Sequence, residues 1–201
     1  MKPRIRLALP TDSGAIADIY APAITDNATS FEATPPDAAE MARRIESLRA
    51  AYPWLVCEED GELLGYAYAS RHRERAGYLW SVEVSAYVHP AAHRRGIGKA
   101  LYTSLFAILA LQGFRNAYAG ITLPNPASEA LHKAVGFTIV GVFHNIGFKQ
   151  GEWQDVMWLE RQLHYLETDP AAPRLLAEVE NEAAFATALA IGETHLQRRN
   201  S

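Results

Sequence analysis

The segment from His93 to Ala100, with the sequence HRRGIGKA, limits the possible folds of this chain more than any other stretch. It follows a strand-like run from Trp80 to Val88 and precedes an apolar helical run from Ala100 to Leu111. Glycines let the backbone come close to a ligand, and the unpaired amides of a first helical turn point at a bound anion. The helix dipole adds about half a positive charge at that end. The pattern therefore predicts a strand, a basic glycine loop and a helix that together bind a pyrophosphate.

The composition is that of one ordinary globular domain. The 201 residues are 49% hydrophobic and 21% charged, and the formal net charge is −4. An acidic chain disfavours nucleic acid as a partner, and no run reaches the ~20 apolar residues of a membrane span. The N-terminus has no signal-peptide core, so we expect a cytoplasmic protein. The single cysteine, Cys57, excludes an internal disulfide and is expected to be a buried small hydrophobe.

Apolar periodicity predicts a mixed α/β sandwich in which strands outnumber helices. Strands are predicted at 5–9, 54–58, 63–69, 78–88, 116–121, 138–147 and 155–159. Helices are predicted after cap residues near Ser13 and Thr34, and over 98–112 and 126–134. The alternation of the fourth strand breaks near Ser85, which predicts a bulge or a splay there. After a break at 169–173, helical spacing predicts a final helix over 175–191.

Five further ordered motifs accompany His93–Gly98. They are Tyr52–Val56, Gly65–Ala69, Val82–Val88, Leu131–Phe137 and Gly147–Asp155. Together these motifs resemble the GNAT superfamily of N-acetyltransferases over residues 3–165, and within it the phosphinothricin and methionine sulfone (sulfoximine) N-acetyltransferases. The resemblance implies a mixed α/β (α+β) fold, with a mostly antiparallel twisted sheet, splayed strands 4 and 5, and helices on both faces. It implies a GNAT domain over 1–165 and leaves a C-terminal extension over 166–201, which we expect to be partly helical.

The resemblance also implies an activity. Such an enzyme transfers the acetyl group of acetyl-CoA to the α-amino group of a small amino-acid-like acceptor. The implied acceptors are L-phosphinothricin, methionine sulfone and methionine sulfoximine. Acetylation of L-phosphinothricin accounts for the herbicide resistance associated with this subfamily. Acetyl-CoA is the implied co-substrate, no metal is implied, and a homodimer is the implied assembly.

Glu83 and His132 are the candidate catalytic residues. An amine must be neutral to attack a thioester, so the site needs a proton acceptor. Glu83 lies in an otherwise apolar strand, where burial would raise its pKa toward the working pH. The resemblance places the catalytic glutamate there, and the alternative is a glutamate that points to solvent. His132 stands where many members have a tyrosine assigned to protonate the CoA sulfur. A histidine there can do this, can help to deprotonate the amine, or can pack without a role.

The candidate acetyl-CoA residues fall into three groups. The resemblance assigns the backbone of Ala86, Tyr87 and Val88 to the pantetheine arm and the thioester oxygen. It assigns the side chain of Asn125 to the pantetheine, although an asparagine between two prolines is also a good helix cap. The glycine motif supplies the pyrophosphate residues His93, Arg94, Arg95, Gly96, Ile97, Gly98 and Lys99.

The candidate acceptor residues precede and flank the fourth strand. Arg73 and Arg75 align with the substrate loop of the resembled subfamily, and an arginine fork suits a carboxylate or a phosphinate. The same loop is polar enough to be simply a solvated basic loop. The subfamily has an aromatic residue just before these arginines, and His72 stands in its place. The other candidate acceptor-binding residues are Phe31 and Tyr78, as aromatic walls of the pocket, and Glu83.

Several questions stay open at the level of sequence. Trp153 is expected either at a dimer interface or over the acceptor pocket. The main alternative function is a GNAT enzyme for another amine, such as a different amino acid, a polyamine or a protein N-terminus. A second alternative is an acyl-CoA-binding module without turnover. A nucleotide-binding loop is disfavoured because the Gly-x-x-x-x-Gly-Lys-Ser/Thr and Gly-x-Gly-x-x-Gly patterns are missing from the sequence.

Overall fold

A computed structural model describes residues 2–197 of the chain. Its centre is a seven-stranded sheet in the order β1-β2-β3-β4-β5-β7-β6. Neighbouring strands are antiparallel except β4 and β5, which are parallel. The strands are β1 (Arg4–Leu7), β2 (Trp54–Glu59), β3 (Glu62–Arg71), β4 (Ser81–Val88), β5 (Asn116–Leu123), β6 (Thr138–Lys149) and β7 (Glu152–Gln162).

Helices cover both faces of this sheet. They are α1 (Ser13–Tyr20), α2 (Pro22–Thr25), α3 (Ala38–Arg49), α4 (Ile97–Gln112), α5 (Pro126–Ala134), α6 (Leu176–Val179) and α7 (Ala183–Ala190). Successive residues of a strand point to opposite faces. Leu55 and Cys57 accordingly belong to the core around α4, whereas Trp54 and Val56 belong to the core around α1 and α3. The predicted fold class is confirmed.

Glycine and aspartate residues set the ends of two helices. Helix α4 follows Gly96, whose φ is +79°, and ends at Gly113, whose φ is +100°, so both ends use a conformation that favours glycine. The prediction that Thr34 caps the next helix is wrong. Asp37 caps α3, because its carboxylate accepts a 2.8 Å hydrogen bond from the amide of Glu40.

Strands β4 and β5 separate after a short stretch of pairing. They pair only where Ser81, Val82 and Glu83 lie beside residues 116–118. Beyond that point β5 continues along β7 to Leu123, while β4 continues along β3 to Val88. The broken alternation therefore marked a splay, as predicted. The predicted start of this strand at Tyr78 is wrong, since Ala76–Tyr78 form a 3-10 turn before β4 begins.

The segment after residue 165 packs into the core around α4. Leu176, Val179, Phe185 and Leu196 are all buried there. The predicted single helix over 175–191 is wrong, because a break at 180–182 divides it into α6 and α7. The break lets two short apolar faces pack against the same core. No helix within residues 2–197 has both the length and the apolar character needed to cross a membrane.

Candidate active site

The separation of β4 from β5 leaves one backbone edge of β4 without a strand partner. The amide of His89 donates a 2.9 Å hydrogen bond to the carbonyl of Leu64 on the β3 side. Because backbone groups alternate between the two sides of an antiparallel strand, those of Val84, Ala86 and Val88 face the open side. The edge therefore offers amide donors and carbonyl acceptors to an extended ligand.

A cleft of about 890 Å³ runs from this open edge to the N-terminus of α4. Its walls come from β4, from the loop before α4, from the start of α5, and from α1 and α2. At the gap itself, a smaller cavity of about 60 Å³ is lined by Ser85, Gly120, Tyr102 and His132. The cleft thus connects the glycine loop to the gap between the strands.

The glycine loop brings the N-terminus of α4 close to its neighbours. A Cβ atom on Gly98 would lie 2.9 Å from Cδ2 of Leu131, so a side chain there would push α5 away. Arg94 is exposed and lines the cleft, with a φ of +62°. His93 donates from Nε2 to the carbonyl of Val88 at 3.1 Å. These contacts hold the turn between β4 and α4 in a form that exposes backbone amides to the cleft.

Not every predicted residue of this loop faces the cleft. Arg95 is buried against Glu59, and its Nη2 atom lies 2.6 Å from Oε2 of that carboxylate. The side chain of Arg95 is therefore directed away from the cleft. Ile97 and Lys99 do line the cleft, although Ile97 is 2% exposed and also belongs to the core.

Glu83 lies at the last paired position before β4 and β5 separate. Its carboxylate is 39% exposed, so the full burial expected from the apolar strand is not found. Oε1 accepts a hydrogen bond of 2.9 Å from Nδ1 of His72. Since Val82 and Val84 point into the core around α4, Glu83 points to the opposite face of the sheet.

His132 lies on the other face of the sheet, next to the same gap. It is 6% exposed, with Nδ1 2.8 Å from the carbonyl of Ser128 and Nε2 3.1 Å from the hydroxyl of Tyr102. The carbonyl can only accept, so Nδ1 carries the proton and Nε2 accepts from Tyr102. Burial lowers the pKa of His132 below its usual 6.5 and outweighs the opposing effect of the hydrogen bond that Nδ1 donates to the carbonyl of Ser128. The imidazole is therefore held in its neutral form.

Asn125 caps a helix and also lines the cleft. It precedes α5 as the cap residue, and its Oδ1 accepts from the amide of Ser128 at 3.1 Å. It also lines the cleft close to the gap. One side chain can therefore cap the helix with its oxygen and offer its NH₂ group to a ligand.

Apart from Glu83, the predicted acceptor residues lie in loops and turns outside the strands. Phe31 is 44% exposed and packs against the backbone of Gly147 in the β6–β7 hairpin. Tyr78 is 39% exposed, and the guanidinium carbon of Arg73 lies 5.9 Å from its ring centre. Arg75 is exposed and forms no ion pair with any residue between 2 and 197. Tyr78 is connected to Glu83 through His72, whose ring centre lies 5.7 Å from that of Tyr78.

Comparisons with known proteins agree with this architecture. The model of the acetyltransferase (GNAT) domain matches residues 5–158. The chain belongs to the GNAT acetyltransferase family. It is accordingly an acetyl-CoA-dependent N-acetyltransferase.

Individual relatives of the acetyltransferase are also similar over most of their length. The phosphinothricin N-acetyltransferase of Streptomyces viridochromogenes is 38% identical over 170 residues, which cover 85% of this chain and 91% of the relative. The L-methionine sulfoximine/L-methionine sulfone acetyltransferase of Salmonella typhimurium is 34% identical over 160 residues, which cover 79% and 94%. The crystal structure of a GNAT superfamily phosphinothricin acetyltransferase from Sinorhizobium meliloti, in complex with AcCoA, superposes with a TM-score of 0.80 at 38% identity and covers 85% and 94%.

The cleft of the acetyltransferase suits acetyl-CoA in both shape and chemistry. An open strand edge is adjacent to a helix N-terminus that follows a glycine in the left-handed conformation. The edge fits the amides of a pantetheine arm, and the helix N-terminus fits a pyrophosphate. Among residues 2–197, no group of three or more His, Cys, Asp and Glu side chains is arranged to hold a metal ion.

Three contributors to the site were missed from the sequence. His72 was noted only as a departure from an aromatic position, and its bond to Glu83 depends on the pairing of β3 with β4. Tyr102 is part of the apolar stripe of α4, and only the packing of α5 shows that it meets His132. Lys149 donates from Nζ to the carbonyls of Ser30 and Glu32 and so attaches the loop before α3 to the hairpin. Each of these contacts depends on tertiary packing, so the sequence carried no local signal for it.

Proposed function

We propose that the acetyltransferase acts on the α-amino group of a small amino-acid-like acceptor such as L-phosphinothricin, methionine sulfone or methionine sulfoximine. The names of the relatives support this acceptor class. The observation that carries the proposal is the position of Glu83, a half-exposed carboxylate beside the gap that opens into the acetyl-CoA cleft. An acceptor amine that approaches from this face meets a proton acceptor and then the gap.

Glu83 is the proposed general base. It takes one proton from the ammonium group, and the neutral nitrogen then has a lone pair for attack on the acetyl carbon. Acetyl-CoA supplies the activated acetyl group as a thioester. One N–C bond forms and one C–S bond breaks, the amide keeps one proton, one proton leaves through Glu83, and one ends on the sulfur.

His132 is the proposed carrier of the proton that ends on the sulfur. Its neutral Nε2 already accepts from the hydroxyl of Tyr102. As the N–C bond forms, that hydroxyl takes the proton of the nitrogen and passes its own proton to Nε2. Because burial lowers the pKa of the imidazole, the cationic form readily releases the proton to the departing sulfur. This assignment favours a neutral proton acceptor over a histidine that is already cationic when the reaction begins.

The backbone of Ala86, Tyr87 and Val88 is the proposed binding edge for the pantetheine arm. The open-side amides of Ala86 and Val88 are donors for the pantetheine and the thioester oxygen. The loop from His93 to Lys99 is the proposed pyrophosphate site, with Arg95 acting through its backbone. Asn125 is the proposed side-chain donor to the pantetheine.

Arg73 and Arg75 are the proposed ligands of the acceptor's anionic groups. They lie in the loop between β3 and β4, and a guanidinium forms paired hydrogen bonds with a carboxylate, a phosphinate or a sulfone oxygen pair. Phe31 and Tyr78 are the proposed walls of the pocket. A cationic acceptor such as a polyamine would be repelled by the positive charges of these two arginines.

A thiol-release assay with acetyl-CoA tests the proposal. The panel contains L-phosphinothricin, methionine sulfone, methionine sulfoximine, ordinary amino acids, a peptide with a free N-terminus and spermidine. Saturable release with the phosphorus and sulfur analogues supports the proposed acceptors. Release only with another amine discards the acceptor class but keeps the chemistry of Glu83. Binding of acetyl-CoA without release from any amine would favour a binding module.

We also propose that the acetyltransferase is a homodimer that uses the β6–β7 hairpin. Strand β6 is an edge of the sheet, and Ile139, Val140, Phe143, Phe148 and Trp153 are each between 51% and 65% exposed. An exposed apolar edge strand favours burial against another chain. Light scattering coupled to size-exclusion chromatography should give twice the mass of one chain, and Phe148→Glu should halve it. A wild-type monomer at micromolar concentration would overturn this assignment.

A further inference from the structure

His72 forms a well-defined contact with Glu83, the proposed base. It follows the last residue of β3, and its Nδ1 atom lies 2.9 Å from Oε1 of Glu83. A carboxylate oxygen can only accept, so Nδ1 is the donor. The side chain of His72 is 11% exposed, against 39% for Glu83. The histidine is therefore the more firmly held member of the pair.

Aromatic rings fix the orientation of the imidazole. The ring stacks on Tyr118 of β5, with centroids 4.6 Å apart and planes inclined by 21°. The edges of Tyr78 and Trp158 approach it at 5.7 Å and 6.2 Å. Tyr118 lies opposite Glu83 in the parallel pairing of β4 and β5, so the same pairing places both partners of His72. The donor direction is thus set by β5, β7 and the turn before β4.

We propose that His72 is a positioning residue for the acetyl-transfer reaction. It holds Oε1 of Glu83 through Nδ1–H, which leaves Oε2 to face the amine of the acceptor. The inference rests on the base role proposed for Glu83 and adds a residue that touches neither acetyl-CoA nor the acceptor nitrogen.

The physical reason is the freedom of an unsupported glutamate. A half-exposed glutamate has three rotatable side-chain bonds, and a misplacement of about 1 Å can cost about 10²-fold in rate. A single hydrogen bond from a fixed ring restricts these rotations before the acceptor binds. Its loss is expected to lower turnover more than it weakens the binding of either substrate.

Two substitutions separate the hydrogen bond from the packing. His72→Phe keeps a ring on Tyr118 but removes the donor. His72→Asn removes most of the ring but retains an amide NH₂ close to the position of Nδ1. We expect the kcat of His72→Phe to be about 10- to 100-fold lower than that of wild type, with the KM for acetyl-CoA unchanged. The kcat of His72→Asn should be about tenfold or more higher than that of His72→Phe.

Three further variants make the result decisive. The control His164→Phe changes an exposed histidine and should behave as wild type. Glu83→Gln tests the base itself, and the double variant His72→Phe/Glu83→Gln should be no slower than Glu83→Gln alone. Wild-type kcat in His72→Phe, or lower activity in His72→Asn than in His72→Phe, overturns the positioning role while leaving the base intact. Wild-type turnover in Glu83→Gln overturns the base and the positioning role together.

Discussion

Gly192 packs closely against α4, and its replacement by alanine should destabilise the fold. A Cβ atom there would lie 2.6 Å from Oγ of Ser104 and would overlap the carbonyl oxygen of Ala100. The amide of Gly192 donates to Oγ of Ser104 at 3.1 Å, and that hydroxyl donates to the carbonyl of Leu189 at 2.7 Å. A methyl group therefore has to push the segment off α4 and strain both hydrogen bonds.

The size of this effect follows from typical energies. Overpacking costs about 1–3 kcal/mol, and two weakened hydrogen bonds add about 1 kcal/mol each. Alanine offsets about 0.5–1 kcal/mol through backbone entropy. A net loss of about 2–4.5 kcal/mol lowers Tm by roughly 4–18 °C in a chain of this size. Differential scanning calorimetry measures this shift directly.

The control for this prediction is Gly14→Ala in α1. No heavy atom lies within 4 Å of its added Cβ, so this variant should match or slightly exceed wild-type stability. Gly192→Ala should also raise the KM for acetyl-CoA, since the amide of Gln197 donates to the carbonyl of Arg95 at 3.1 Å behind the glycine loop. A Gly192→Ala protein that melts at or above the wild-type temperature would refute the proposed packing.

Two further predictions concern pH and the acceptor. Burial lowers the pKa of His132 in the folded protein below the value of 6.5 that it has in the unfolded chain. As the pH falls, His132 is therefore protonated in the unfolded chain before it is protonated in the folded protein. The free energy of unfolding is unaffected by this residue above about pH 6.5 and decreases as the pH falls from there toward the pKa of the folded protein. His132→Gln should therefore lose less Tm than wild type between about pH 7.5 and 5.5, and parallel slopes would contradict the assigned burial. Arg75→Met should raise the KM of the acceptor by about 10- to 100-fold through loss of a charged hydrogen bond, with no change in the KM for acetyl-CoA. Arg49→Met is the exposed control and should leave the acceptor KM unchanged. The same result for Arg75→Met would show that Arg75 does not bind the acceptor.

The central part of the fold was accessible from the sequence because its signals are local. A glycine lies at each end of α4, and an asparagine between two prolines precedes α5. Both helices therefore lie where these residues predicted them. The splay was visible as a break in the alternation of β4. The start of α3 was misplaced because both Thr34 and Asp37 are residue types that cap helices, and the carboxylate of Asp37 forms the bond that Thr34 was expected to form.

The contacts that complete the site depend on tertiary structure and gave no local signal. His72 and Glu83 meet only because β3 and β4 pair in one register and Tyr118 supports the ring. Tyr102 and His132 meet because α4 and α5 pack together. The spacing of apolar residues in the C-terminal segment correctly predicted helical structure there, although not its division into two helices. The packing of this segment on α4 depends on the fit of Gly192 against Ala100 and Ser104. Such fits follow from three-dimensional packing and not from periodicity.

The most direct test of the proposed mechanism compares wild type with Glu83→Gln in the thiol-release assay. The acceptor is L-phosphinothricin, and acetyl-CoA binding is measured in parallel by calorimetry. Removal of the base predicts a fall in kcat of about 10²- to 10⁴-fold with unchanged affinity for acetyl-CoA, while the exposed control Glu152→Gln stays at the wild-type rate. Equal turnover of Glu83→Gln and wild type would contradict the mechanism proposed for this acetyltransferase.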